Sequence, residues 1–78
     1  MNTGYQKFVE FENGYTASVV SNDMSYGGDR GLFEIAILYN SDIVYDTDIT
    51  NDVIGYLDFD GVIQTLDSIR KLPRRNSL

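Results

Sequence analysis

Polar and apolar residues alternate from Gln6 to Phe11 and again from Tyr15 to Val20, separated by Glu12-Asn13-Gly14. A period of two predicts two half-buried strands, and Asn-Gly between them is a strong hairpin signal. A two-residue turn would set Phe11 against Thr16 and scatter the apolar residues over both faces. A three-residue loop sets Phe11 against Tyr15 and Val9 against Ala17, with Gly14 left-handed, and is the expected register. Ser21 to Gly31 reads as a polar, glycine-bearing loop. Leu32 to Tyr39 is apolar on both faces, with Phe33, Ile35 and Ile37 on one and Leu32, Ala36 and Leu38 on the other, broken by Glu34. That pattern predicts a central strand. Asn40-Ser41-Asp42 turns the chain into a short strand, Ile43 to Tyr45. Thr50 to Gly55 reads either as one helical turn capped by Thr50 or as a short extended piece.

From Phe59 to Leu72 the period changes. Phe59, Val62, Ile63, Leu66 and Ile69 follow the stripe of a helix lying on a sheet. Asp58 suits the N-cap, Asp60 the positive helix end, Arg70 and Lys71 the negative one, and Pro73 stops it. The expected fold is α+β: an antiparallel sheet of about four strands with one C-terminal helix packed on a face. Residues 1–72 form the domain and 73–78 a flexible basic tail.

Charge is unevenly spread. No lysine or arginine lies between Arg30 and Arg70, while eight acids do: Glu34, Asp42, Asp46, Asp48, Asp52, Asp58, Asp60 and Asp67. Four of the six basic residues, Arg70, Lys71, Arg74 and Arg75, are packed at the end. The net charge of −6 disfavours binding to nucleic-acid phosphates or anionic lipid and favours a basic partner. The chain has no cysteine and no histidine, which excludes disulfides, the common zinc sites and Ser-His-Asp or Cys-His catalysis. No apolar run is long enough to span a membrane and no secretory signal is visible, so the expected location is the cytoplasm. At 78 residues a single core supports only about 3–5 kcal/mol of net stability.

Three local motifs carry candidate chemistry. Val53-Ile-Gly-Tyr-Leu-Asp58-Phe-Asp60-Gly-Val-Ile63 resembles motif I of the haloacid-dehalogenase-like hydrolases. That resemblance implies Asp58 as nucleophile, Asp60 as acid/base, and both as Mg²⁺ ligands. Only 18 residues follow Asp60, however, with one lysine and one further acid, Asp67, where that family has several later motifs. The expected reading is therefore a helix N-terminus, and a protein that is not an enzyme and needs no cofactor. Asp46 to Asp52 looks briefly like a calcium loop, but has Asn51 and Leu57 where an EF-hand needs glycine and glutamate. Gly27-Gly28-Asp29-Arg30-Gly31 lacks the spacing and the lysine of a P-loop, and reads as a plain loop whose Met24, Tyr26 and Arg30 suit contact with a partner.

A wider pattern, Ser25-Tyr-Gly-Gly-x-x-Gly-Leu-Phe-Glu34, then Tyr45-Asp-Thr-x-Ile49, then Asp52-Val-Ile-Gly-Tyr-Leu57, resembles short uncharacterised acidic proteins of bacteriophages and prophages. The resemblance spans about residues 14–72 and brings no established activity. It implies a protein acting in the host cytoplasm by binding and inhibiting a host protein, including an anti-CRISPR-like role in which carboxylates imitate phosphates in a basic groove. Asp42, Asp46, Asp48, Asp52, Asp58 and Asp60 are the expected partner contacts, with Tyr26 and Arg30 as secondary anchors. Direct nucleic-acid or membrane binding is not expected. Two alternatives stay open: a small-ligand or nucleotide-binding sponge that uses the glycine loop, and a self-associating structural component, with a homodimer as its simplest form.

Overall fold

The computed structural model describes residues 4–47, 49 and 53–75. Five strands form one antiparallel sheet: β1 (Tyr5–Glu10), β2 (Tyr15–Ser21), β3 (Phe33–Tyr39), β4 (Asp42–Ile43) and β5 (Ile54–Leu57), followed by α1 (Phe59–Arg70). The order is β1-β2-β3, with β4 and β5 pairing the other edge of β3. β4 sits opposite Leu38 and Tyr39, and β5 opposite Phe33 and Ile35. β4 and β5 are thus two pieces of one partner edge, and the Val44 amide extends the first by donating to Ile37 O at 2.9 Å. The fifth strand settles the reading of Ile54 and Gly55 as extended; Thr50, Asn51 and Asp52 lie outside the described residues.

The β1–β2 hairpin has the expected register. Val9 faces Ala17, Gly14 is left-handed at φ 92°, and the Phe11 and Gly14 amides close the loop onto Tyr15 O and Phe11 O. The Ser21–Gly31 segment contains one short 3-10 turn, Gly28–Arg30. A Cβ on Gly28 would fall 1.8 Å from the carbonyl oxygen of Asn22, which explains glycine at that position.

The core lies between the sheet and α1. Tyr15, Ala17 and Val19 of β2, Ile35 and Ile37 of β3, and Val62 and Ile69 of α1 are buried. These strand residues alternate along one face, as the period of two requires. The other face carries Phe8, Ser18, Ala36, Leu38 and Ile43 and has no helix over it; Phe8 and Ile43 are exposed. The expected stripe on α1 is only partly buried. Phe59 is 73% exposed and Ile63 62%. Val62 and Ile69 stand nearly one above the other, and at 3.6 residues per turn Ile63 lies about 100° away from Val62. Both helix ends are pinned with that roll: Gly61 lies against Leu57, and Asn13 holds the C-terminus.

Asn13 does more than turn the chain. Its Nδ2 donates to the carbonyls of Ile69 (2.8 Å), Arg70 (3.2 Å) and Leu72 (3.0 Å), while its Oδ1 accepts from the Tyr15 amide (3.0 Å). Carbonyls at and just beyond the end of α1, that of Ile69 already shared with the Leu72 amide, are thereby tied to a hairpin far away in sequence.

Candidate interaction surface

The sequence-predicted contacts divide between the two ends of β3, roughly 20 Å apart for six steps along a strand. Asp42 and Asp46 belong to the end near Tyr39, where Asp42 pairs directly with Tyr39. Asp58 and Asp60 belong to the end near Phe33, where β5 leads into α1. Tyr26 and Arg30 lie in the loop packed on that second end. Asp48 and Asp52 lie outside the described residues. The four described acids of the six thus divide into two pairs, one at each end of the strand.

Two of the acids already have internal work. Asp58 is the N-cap of α1 and accepts from the Gly61 amide at 2.8 Å. Asp46 is paired with Arg75, whose guanidinium also lies 5.7 Å from the ring centroid of Tyr15 and 5.9 Å from that of Tyr39. Arg74 donates to the carbonyl of Glu12. Both arginines belong to the stretch 73–78 expected as a flexible basic tail; Arg74 and Arg75 contact the domain through these bonds, and residues 76–78 lie outside the described residues. Arg70 and Lys71 in turn close on Asp67, at 2.6 Å and 2.9 Å. Much of the C-terminal positive charge is therefore spent within the molecule.

These contacts shift titration. The hydrogen bond from Arg75, opposed by partial desolvation and helped by its charge, holds Asp46 below the ordinary carboxylate value of 3.8. Asp67 is lowered by hydrogen bonds from Lys71 and then Arg70, and Arg75 is raised by its bond to Asp46. A lowered carboxylate contributes stability that is complete above its unfolded value and is lost as pH falls through its folded one. The Arg75 contact is accordingly expected to persist through neutral pH and to open only below pH 3.8, read by tyrosine fluorescence during acid titration. Asp46→Asn should remove that step, and a step of the same size in the variant would count against the pairing.

Tyr26 gains a neighbour that the sequence reading did not single out. Its ring centroid is 6.4 Å from that of Tyr56, both residues are 59% exposed, and Met24 beside them is 94% exposed. The pair is built by close backbone approach. A Cβ on Gly55 would lie 2.4 Å from the Tyr26 Cβ, and one on Gly27 would lie 2.9 Å from the Tyr56 Cα. The Tyr56 amide donates to Tyr26 O at 3.1 Å, and the Tyr26 amide to a Glu34 carboxylate oxygen at 3.0 Å. Tyr56 itself has φ 58°, an uncommon conformation for an aromatic residue, at an irregularity in the β3–β5 pairing. The mirrored dipeptides Tyr26-Gly27 and Gly55-Tyr56 were the available signal: each glycine makes room for the other segment.

A groove of about 430 Å³ between β1 and the start of α1 is lined by Tyr5, Val19, Phe33, Phe59 and Val62. It offers apolar contact and no acid–base pair. Among the described residues no group of three carboxylates is placed to share a metal ion. Asp58 and Asp60 follow a short strand that pairs antiparallel with β3, not the parallel strand of a Rossmann-like sheet that the hydrolase motif requires. No protein-family profile, curated protein or solved structure matches this chain.

Proposed function

We propose that this protein acts by binding rather than catalysis, occupying a basic surface of a host protein in the manner of a phage-borne inhibitor of a nucleic-acid-dependent defence system. The observation that carries this reading is the exposed Tyr26–Tyr56 pair set beside Asp58 and Asp60, the acids that open α1. Tyrosines supply large, stiff contact area with a polar tip and are enriched at interface centres. Carboxylates around them steer a cationic partner and make encounter salt-dependent. Arg30, in the same loop, is the secondary anchor. Asp42 stays exposed at the far end of β3, so a long basic groove would meet carboxylates at both ends of the strand.

Affinity capture from host lysate, followed by titration of the partner it identifies, tests this. Tyr56→Ala is expected to weaken binding about tenfold or more, as loss of an interface anchor does. Raising salt from about 50 to 500 mM, which shortens the screening length severalfold, should weaken it as well. A partner whose affinity is indifferent to both changes would refute the reading. So would a clean dimer in light scattering that Phe8→Ser disperses, since that outcome assigns the interaction to the open sheet face and a second copy of this chain.

A further inference from the structure

We infer that Tyr15, Tyr39 and Asp46 form an arginine-binding box that the chain's own Arg75 now fills, and that an arginine presented by a basic partner protein takes the same seat. The two rings face each other across β2 and β3 as a directly paired couple, edge to face, with centroids 5.0 Å apart. One guanidinium lies within cation–π range of both. Asp46 completes the box from the chain just after β4, accepting from Nη2 on one oxygen and from Nη1 on the other at 3.4 Å. A planar fork meeting a carboxylate across two aromatic faces suits arginine and not lysine, whose ammonium is a compact, strongly hydrated point charge.

The Tyr15 wall belongs to the core, at 5% exposed, and Tyr39 packs on it edge to face from the paired position of β3. The Tyr39 hydroxyl also donates to the Arg75 carbonyl at 3.4 Å, a backbone contact separate from the seat of the guanidinium. Arg75, by contrast, hangs from a chain that has already left α1 and passed Pro73. It also fits incompletely. Its Nε is buried without an acceptor among the described residues, and both centroid distances are close to the outer limit of about 6 Å for a cation–π contact. Asp42, opposite Tyr39, adds a second carboxylate at the rim. The tether gives Arg75 a high effective concentration, so a single free arginine competes poorly while a multiply attached one does not. The box lies at the end of β3 remote from Tyr26 and Tyr56, and it stands or falls independently of the surface proposed there.

The test uses the full chain. Arg75→Ala is titrated with N-acetyl-arginine methylamide and, separately, with its lysine counterpart, following the ring signals of Tyr15 and Tyr39 by NMR. Saturable shifts with the arginine probe are expected, with weaker ones for lysine and none when Asp46→Asn is added. Unaltered protein should respond about tenfold more weakly, because Arg75 competes from its tether. Ring signals that do not move with arginine, or move equally with lysine, overturn the inference. If Arg75→Ala does not fold, Arg75→Lys answers the same question: the arginine probe should displace the substituted lysine, and failure to do so overturns it equally.

Discussion

Replacing Ile35 by alanine is expected to leave much of the protein unfolded at 25 °C. Ile35 is fully buried in β3, the strand that pairs with three others, and belongs to the core cluster between the sheet and α1. Removing a buried isoleucine side chain to alanine costs about 2–5 kcal/mol, through lost transfer free energy and the cavity left behind. A domain of this size has only about 3–5 kcal/mol to lose. Ile63→Ala is the control. Ile63 belongs to the same apolar stripe in the sequence, but 62% of it is exposed, so its loss should shift stability by no more than about 0.5 kcal/mol. Urea denaturation of the two variants should show a large fall in midpoint for the first and almost none for the second, with slopes unchanged. Similar midpoints would mean that α1 is rolled so as to bury Ile63.

That contrast marks what periodicity can and cannot say. The alternation of Val9, Phe11, Tyr15, Ala17 and Val19 placed both hairpin strands and their register, because a one-residue slip would turn every one of those side chains to the wrong face. The two-faced run ending at Tyr39 placed the central strand for a similar reason. The roll of α1 was not legible, since Phe59 and Ile63 satisfy a helical stripe as well as Val62 and Ile69 do. What decides between them is where the ends are tied, by Leu57 and Asn13, and both ties depend on the fold. β5 was ambiguous because four residues are too few for either period to show.

The charge gap between Arg30 and Arg70 was legible as a pattern but not as a surface. Among its described acids, Asp42 and Asp46 go to one end of β3 and Asp58 and Asp60 to the other, and part of the basic cluster that follows meets acids of the gap: Arg70 and Lys71 on Asp67, Arg75 on Asp46. Those are contacts across one helical turn in the first case and across 29 residues in the second. Composition reports the net charge of −6 correctly and says nothing of which carboxylates are already engaged. The tyrosines behaved in the same way. Tyr26 stood out within its polar loop, whereas Tyr56, inside an apolar run, became visible as a surface residue only once β5 was seen to carry it at positive φ.

Asn13→Asp should be among the most damaging polar changes in the chain, although it alters a single atom of an exposed-looking hairpin loop. The aspartate keeps the oxygen that accepts from the Tyr15 amide, so the turn itself is preserved. It loses the amide hydrogens that bind the carbonyls of Ile69, Arg70 and Leu72, and sets a negative charge against the negative end of α1. Hydrogen bonds of this kind contribute about 1 kcal/mol each when net exchange with water is counted, and the dipole term adds about 0.3–1 kcal/mol. A loss of about 2–3 kcal/mol at neutral pH is expected, and Asn13→Ala should cost about as much, because it adds no charge but also removes the oxygen that accepts from the Tyr15 amide. The two variants also separate by pH. A protonated aspartate regains one O–H donor and loses its charge, so the Asn13→Asp deficit should shrink in acid while that of Asn13→Ala does not. Hydrogen exchange at the last turn of α1 should accelerate in both. Equal stability of Asn13→Asp and the unaltered chain at neutral pH would show that the hairpin does not hold the helix end in solution, and the docking of Arg74 and Arg75 beside it would lose its anchor.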